Sequence, residues 1–174
     1  ASSSIEPAAA KDVTAAGFLN DSAGFAAMIN SKGLFAYNES TNVNFTVTMR
    51  SNDGTGSGWV TRDYNDVDKF DPQEASNIAI DKALQSRNAK AIEPGKYTVI
   101  LEPAASSQLL GNMAGSFNAR TADEGRSFMS KEGGGTKLGE KIVDERVQLW
   151  SDPQHPEVPS APWAGDGQAR KKMN

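Results

Sequence analysis

Hydrophobic and polar positions near the start of the chain predict a β-hairpin. Residues 25–30 form one strand-like apolar run, and residues 34–37 form a second. Residues 31–33 connect them and end in Gly33, which can adopt the positive φ of a tight turn. Residues 1–23 are rich in Ala, Ser and Asp without a sustained period, so we expect a loosely structured lead-in with a short helix near residues 8–16.

A clear period of two follows this hairpin. Its apolar positions, which alternate with Asn, Thr and Arg, are Val43, Phe45, Val47 and Met49. This alternation predicts a strand buried on one face only. Residues 59–63 predict a short return strand, with the glycine-rich residues 51–58 as its connecting loop. A phosphate-binding loop is the alternative for residues 51–58, but they lack the Gly-Lys-Ser/Thr ending and no helix follows directly.

A strong helix start stands at Asp71, an N-cap residue. Pro72 then occupies the first helical position, and Glu74 completes a capping box. Apolar residues at helical spacing extend this helix to about Asn88. We expect it to pack on the sheet formed by the preceding strands.

The second half of the chain begins with a Pro-Gly turn in residues 93–96. Residues 97–101 predict a strand, and their apolar density indicates a central position in a sheet. Residues 102–118 predict one amphipathic helix with Pro103 in its first turn. Its apolar stripe, which we expect to pack in a core, is Leu109, Leu110, Met113, Ala114 and Phe117. The opposite face carries Gly111, Asn112 and Ser116.

The remaining segments are shorter. A capping box at residues 121–124 predicts a short helix, residues 146–150 alternate as a strand, and residues 153–167 carry four prolines and predict an extended run over a surface. Together the patterns predict an α+β fold. Residues 1–92 would form a mostly antiparallel sheet with a packed helix, as the C-terminal part of an N-terminal α+β domain. Residues 93–174 would begin a second, β-rich domain.

Composition narrows the functional classes. The net charge of −4 and the pI of about 5.1 argue against a nucleic-acid surface, and the basic residues 170–172 are interpreted as a solvated end. Cysteine is absent, so the chain has no disulfide and no thiolate metal site. No apolar run reaches the roughly 18 residues that span a bilayer. The composition therefore favours a cytoplasmic protein without a membrane or nucleic-acid partner.

Two catalytic or metal-binding arrangements are disfavoured by the residues present. A calcium loop would use Asp63, Asp66, Asp68 and Asp71. The order lacks the glycine and the final glutamate of an EF-hand loop, so a solvated turn followed by an N-cap is favoured. Ser106, Ser107 and Ser116 are nucleophiles by residue type only, because the chain has a single histidine to serve as their base.

The order of short motifs resembles the TldD/PmbA family, once called modulators of DNA gyrase and grouped with metallopeptidases. Each motif is weak by itself, but their order and gaps cover about residues 24–170. The matching segments are residues 30–34, 93–103, 109–110, 124–128, 137–140, 151–153 and 166–167. Because family members are much longer, we expect this chain to be an interior piece of such a protein.

The resemblance implies a zinc site that this chain lacks. In the catalytic branch the helix after the strand carries Leu-Leu-His-Glu-x-x-Gly-His, with two zinc ligands and a general base. The corresponding positions here are Gly111 and Ser116 for the histidines and Asn112 for the glutamate. The only histidine, His155, lies in a proline-flanked stretch and is interpreted as a solvated side chain. We therefore expect no catalytic residue, metal or cofactor in this chain.

The resemblance further implies a role in peptide processing. The chain is most similar to the TldE/PmbA branch, whose members lack the zinc motif and pair with a metal-bearing TldD-like subunit in a cytoplasmic protease. Unfolded peptides are the implied substrates, and zinc is expected only in the partner. Two alternatives stay open: the full-length protein is itself a metallopeptidase using residues outside this chain, or it is a self-associating binding module.

Arg126 and Ser127 are the candidate contacts for a peptide or a partner. The resemblance implies that their segment lies near the cleft of the C-terminal domain, where a guanidinium could orient a peptide carboxylate. The alternative is a local role in which Arg126 pairs with Asp123 or Glu124 on its own turn.

Overall fold

The computed structural model describes residues 1–173 and has an α+β fold, which confirms the predicted class. Its secondary structure comprises four helices, three strands and a short 3-10 turn over Val67–Lys69. The helices are α1 (Ser2–Ala9), α2 (Pro72–Gln85), α3 (Pro103–Gly115) and α4 (Ala119–Asp123), and the strands are β1 (Val13–Ile29), β2 (Phe35–Ser51) and β3 (Ser57–Tyr64).

The three strands form an antiparallel sheet in the order β1, β2, β3. In the register of β1 with β2, Val13 lies opposite Ser51 and Ile29 lies opposite Phe35. The predicted hairpin is confirmed, and Gly33 has a φ of 88° in its turn. The loosely structured lead-in is wrong, because β1 begins at Val13. Most of β1 is exposed on both faces, so it shows no apolar alternation that a sequence could reveal.

The core lies between one face of the sheet and α2. The predicted period of two in β2 is confirmed, because all four of its apolar positions are buried. Phe45, Val47 and Met49 pack with Val60 of β3 and with Ala75, Ala79, Ile80 and Ala83 of α2. The predicted start of α2 is also confirmed, since the Asp71 carboxylate accepts hydrogen bonds from the backbone of Gln73 at 2.8 Å and Glu74 at 3.0 Å.

Two glycines allow α2 to lie close to the sheet. A Cβ at Gly58 would lie 2.6 Å from the amide nitrogen of Ala83 and even closer to the carbonyl oxygen of Ala79. A Cβ at Gly56 would likewise collide with the backbone of Ala83. The glycines interpreted as loop residues therefore include positions required by helix-on-sheet packing.

The chain divides into two compact units. One comprises Ala1–Ile92 with the segment from Trp150 onward, and the other comprises Glu93–Leu149. The second unit contains α3 and α4 but no strand, so the strands predicted for residues 97–101 and 146–150 are wrong. An apolar run becomes a strand only when another strand pairs with it, and residues 93–149 supply none. The domain division at residues 92 and 93 stays a prediction.

Candidate functional site

Helix α3 and its C-cap carry the three positions at which the family resemblance implies a zinc motif in the catalytic branch and its loss in this chain. Pro103 occupies its first turn, as predicted, but the helix ends at Gly115 rather than near residue 118. Ser116 is the C-cap, and its hydroxyl donates a hydrogen bond to the carbonyl oxygen of Asn112 at 3.3 Å. Gly111 and Gly115 both lower the helix propensity of this end, which accounts for the early stop.

The apolar stripe of α3 is not in a core. No residue of the helix is buried, and the side chain of Leu109 is 61% exposed. The expected packing of this stripe is therefore wrong for residues 1–173. Amphipathic spacing identifies which residues share a face of a helix, but another element must supply the surface that covers that face.

The residues of α3 do not fit a zinc ion. Gly111 has no donor atom, and nothing lies within 4 Å of the position that its Cβ would occupy. Asn112 and Ser116 offer an amide and a hydroxyl, whereas zinc sites use imidazole, thiolate and carboxylate ligands. Within residues 1–173 no group of three or more His, Cys, Asp or Glu side chains could hold a metal ion.

Ser127 is hydrogen-bonded to the end of α3. Its hydroxyl donates to the carbonyl oxygen of Ser116 at 2.6 Å and accepts from the amide of Met129 at 3.1 Å. The rings of Phe117 and Phe128 meet edge to face at a centroid distance of 5.7 Å beside this contact. The structure therefore brings together Ser116 and Ser127, two residues that the sequence singled out separately.

The segment between these residues forms α4. The side chain of Asn118 caps it by accepting a hydrogen bond from the amide of Thr121 at 3.2 Å, so the capping box predicted at residues 121–124 is wrong. That prediction failed because Asn118 is also a favoured N-cap and lies one turn earlier.

Arg126 is paired with a neighbour on its own turn. Its guanidinium binds the carboxylate of Glu124, with its Nε at 3.0 Å, and Arg120 binds the other oxygen of that carboxylate at 2.8 Å. These contacts, with Arg126 first and Arg120 second, hold the pKa of Glu124 below its usual value. Glu124 thus remains ionised between two exposed arginines.

We call Ser116, Glu124, Arg126 and Ser127 the α3–α4 site. Its Arg126 guanidinium can bind a carboxylate, whereas the hydroxyl protons of Ser116 and Ser127 are already donated to backbone carbonyl oxygens. It holds no imidazole or thiol, and its one carboxylate is engaged by two arginines. The arrangement is suited to holding a ligand in place.

His155 and the aspartates at the start of α2 have local structural contacts. The Nδ1 atom of His155 accepts hydrogen bonds from the amides of Glu157 and Val158 at 3.2 and 3.3 Å. Asp66 caps the 3-10 turn and Asp71 caps α2. These contacts confirm the interpretation of the aspartate cluster as a turn followed by an N-cap.

One group of exposed residues was missed by the sequence analysis. Phe25, Ile29, Phe35 and Tyr37 share one face at the turn end of the β1–β2 hairpin and are between 51% and 75% exposed. Their odd numbering is a signal for a shared face, but a sequence does not reveal whether a helix covers that face.

No helix among residues 1–173 has both the length and the apolar character that crossing a membrane requires.

Comparisons with known proteins bear on both halves of the chain. Residues 3–87 match a family model described as the PmbA/TldA metallopeptidase central domain, and residues 94–174 match the PmbA/TldA metallopeptidase C-terminal domain. The chain is also similar to an uncharacterized protein of Methanocaldococcus jannaschii, with 28% identity over 141 residues. That match covers 80% of this chain but 32% of the relative. No solved structure matches the chain significantly.

Proposed function

The chain belongs to the TldD/PmbA family, and on this premise we propose that it is part of a non-catalytic, TldE/PmbA-like subunit of a cytoplasmic metalloprotease that degrades or matures peptides. The observation that carries the proposal is the donor set on α3. Gly111, Asn112 and Ser116 stand where the zinc-binding branch has its ligands and general base, and they offer neither. The family-level role is peptidase-like. In this proposal the chain contributes structural support and contacts to the peptide, and it takes no part in bond cleavage.

The metal would come from a TldD-like partner subunit. Hydrolysis of a peptide bond at neutral pH requires an activated water, and zinc supplies one by lowering the pKa of the water that it binds. Residues 1–173 contain no group of side chains that could hold the ion. A subunit of this kind acts on catalysis by positioning an unfolded peptide for the metal of its partner.

The α3–α4 site is the part of the chain best suited to that positioning. Arg126 is exposed, and its guanidinium can exchange Glu124 for a carboxylate of the peptide, because an exposed ion pair contributes only about 0–1 kcal/mol. Ser127 follows Arg126 in the chain, and because its hydroxyl proton is donated to the end of α3, its oxygen can only accept a hydrogen bond from the peptide. Together they would orient a peptide end without taking part in bond cleavage.

A reconstitution assay tests this proposal. The full-length protein, a TldD-like subunit and their mixture are each incubated with an unfolded peptide, with and without a chelator. We expect no hydrolysis by the full-length protein alone and chelator-sensitive hydrolysis by the mixture. Chelator-sensitive hydrolysis by the purified protein alone would instead favour a metallopeptidase that uses residues outside this chain. Indifference to the partner, with stable self-association, would favour a binding module.

A matched pair of variants tests the α3–α4 site in the same assay. Arg126→Gln removes the guanidinium charge, so we expect a higher KM for a peptide with a free carboxylate and an unchanged kcat. Arg120→Gln serves as the control, because it removes the other arginine that binds Glu124. Equal effects of the two variants would indicate a local structural role for Arg126.

A further inference from the structure

Residues 151–173 line a cleft that carries a cluster of positive charge, and we call it the basic cleft. It has a volume of about 670 Å³. Pockets of roughly 300–1,000 Å³ are typical of small-molecule sites. The lining of the basic cleft includes Arg170, Lys171 and Lys172, the basic residues interpreted from the sequence as a solvated end. The structure thus places this charged segment beside a space that is large enough for a small ligand.

Backbone hydrogen bonds hold the walls of the basic cleft together. Ser151 and Met173 form a reciprocal pair, in which the amide of Ser151 donates to the carbonyl oxygen of Met173 at 2.8 Å and the amide of Met173 donates to that of Ser151 at 3.0 Å. The amide of Arg170 donates to the carbonyl oxygen of Pro162 at 2.8 Å. The backbone that carries the basic side chains is therefore fixed before a ligand arrives, which lowers the entropy cost of binding.

Two of the three positive charges of the basic cleft have no partner within residues 1–173. The Nζ atom of Lys172 lies 3.9 Å from the carboxylate of Asp152 and 5.2 Å from the ring centroid of Trp150, so its charge is partly offset. The side chains of Arg170 and Lys171 form no ion pair or hydrogen bond with any of residues 1–173. No Asp or Glu among these residues lines the basic cleft. The basic cleft therefore presents two uncompensated positive charges.

This local charge contrasts with that of the chain as a whole, which is −4. Two other clefts in the same compact unit have acidic side chains as their charged lining residues. These are Glu39, Asp63 and Glu157 in one cleft and Asp21 and Asp66 in the other. Like charges repel, so neither of these clefts suits an anion, whereas the basic cleft attracts one. The distribution of charge therefore favours an anionic ligand at the basic cleft.

A phosphate group matches both the charge and the hydrogen-bond donors of the basic cleft. Ser151, Ser160 and Gln168 also line it, and their side chains make no hydrogen bond within residues 1–173. A guanidinium binds phosphate through paired hydrogen bonds, an ammonium adds a point charge, and hydroxyl and amide groups supply further donors. A phosphate monoester carries a charge of about −1.5 to −2 at pH 7, whereas a carboxylate carries a single negative charge. We infer that the basic cleft binds a dianionic phosphate group, either free or carried by a small organic molecule.

This site goes beyond the proposed function and does not depend on it. Isothermal titration calorimetry of the purified full-length protein tests it with anions of defined charge. We expect phenyl phosphate to bind more tightly than benzenesulfonate, a monoanion of similar shape, and its affinity to fall as salt is added. Inorganic phosphate distinguishes the two sources of the group. Tighter binding of phenyl phosphate would identify an ester as the ligand, and tighter binding of inorganic phosphate would identify the free ion.

A matched pair of arginine variants tests the residues of the basic cleft. Arg170→Gln removes one of the two uncompensated charges, so we expect the Kd of phenyl phosphate to rise about tenfold. Arg50→Gln is the control, because Arg50 is also exposed and its side chain has no ion pair or hydrogen bond within residues 1–173, but it lies on β2 outside the basic cleft. Equal effects of the two variants would overturn the inference, as would equal binding of benzenesulfonate or no binding of either phosphate probe. A single-stranded oligonucleotide that binds more tightly than phenyl phosphate would overturn it in favour of a nucleic-acid surface.

Discussion

Replacing Gly58 by alanine tests the close packing of α2 on the sheet. The added Cβ would lie 2.6 Å from the amide nitrogen of Ala83, whereas ordinary van der Waals contact begins at 3.4 Å. The helix backbone must therefore retreat by at least about 0.8 Å, the difference between these two distances, and further to clear the carbonyl oxygen of Ala79. A gap of 0.5–1 Å forfeits about a quarter to a half of the dispersion energy of each affected contact. Ala79 and Ile80 are fully buried and would lose such contacts.

We expect Gly58→Ala to lower the free energy of unfolding by about 2–3 kcal/mol, in the upper part of the range for overpacked cores. Urea denaturation of the purified protein, followed by circular dichroism, measures this change as a lower midpoint with an unchanged slope. Gly24→Ala is the matched control, because nothing lies within 4 Å of a Cβ there, and its effect should stay within about 0.5 kcal/mol. Equal stability of the two variants would refute the packing argument.

Three further predictions concern caps, titration and the α3–α4 site. Asp71→Ala should lower the free energy of unfolding by about 1 kcal/mol in urea denaturation, because α2 loses its N-cap. The hydroxyl of Ser51 and the bonds from Thr55 lower the pKa of Asp53 to about 2, which an NMR titration of its carboxyl can measure. Because the folded pKa lies below the unfolded one, the resulting stabilisation is complete above about pH 4 and is lost as the pH falls towards 2, and Asp53→Asn should abolish this dependence. Ser127→Ala removes the bond to the end of α3, so amide exchange in residues 125–130 should accelerate while exchange in α2 stays unchanged.

Local signals account for the parts of the fold that the sequence predicted. Helix α2 was predictable because Asp71, Pro72 and Glu74 specify its start within four residues. Strand β2 was predictable because its period of two records a face that is buried by other elements. Both signals are contained in the segment itself, so neither depends on knowing the rest of the fold.

The failures involve segments whose structure depends on distant partners. Residues 13–23 of β1 form a strand because β2 pairs with them, and their exposed faces leave no apolar alternation. Residues 97–101 have the composition of a central strand, yet the unit that contains them has no other strand to pair with. Composition indicates that a segment is able to form a strand, and the presence of a second strand to pair with decides whether it forms one.

The candidate site was only partly accessible from the sequence. Gly111, Asn112 and Ser116 were singled out because the family resemblance implies that they occupy the positions of the zinc motif, and that assignment stays a prediction. The hydrogen bond from Ser127 to the carbonyl oxygen of Ser116 joins residues that are eleven positions apart, and no local pattern predicts it. The exposed residues Phe25, Ile29, Phe35 and Tyr37 were missed for a related reason. Whether an apolar sheet face is exposed depends on whether a helix elsewhere in the chain covers it.

The zinc content of the full-length protein tests the central claim most directly. Metal analysis of the purified protein, of Asn112→Ala and of Ser116→Ala would show whether α3 holds an ion. Because α3 offers no imidazole, thiolate or carboxylate at these positions, we expect no zinc that is bound by Asn112 or Ser116. The two variants should therefore have the same zinc content as the unsubstituted protein. One zinc per chain in the unsubstituted protein, lost in either variant, would contradict the account.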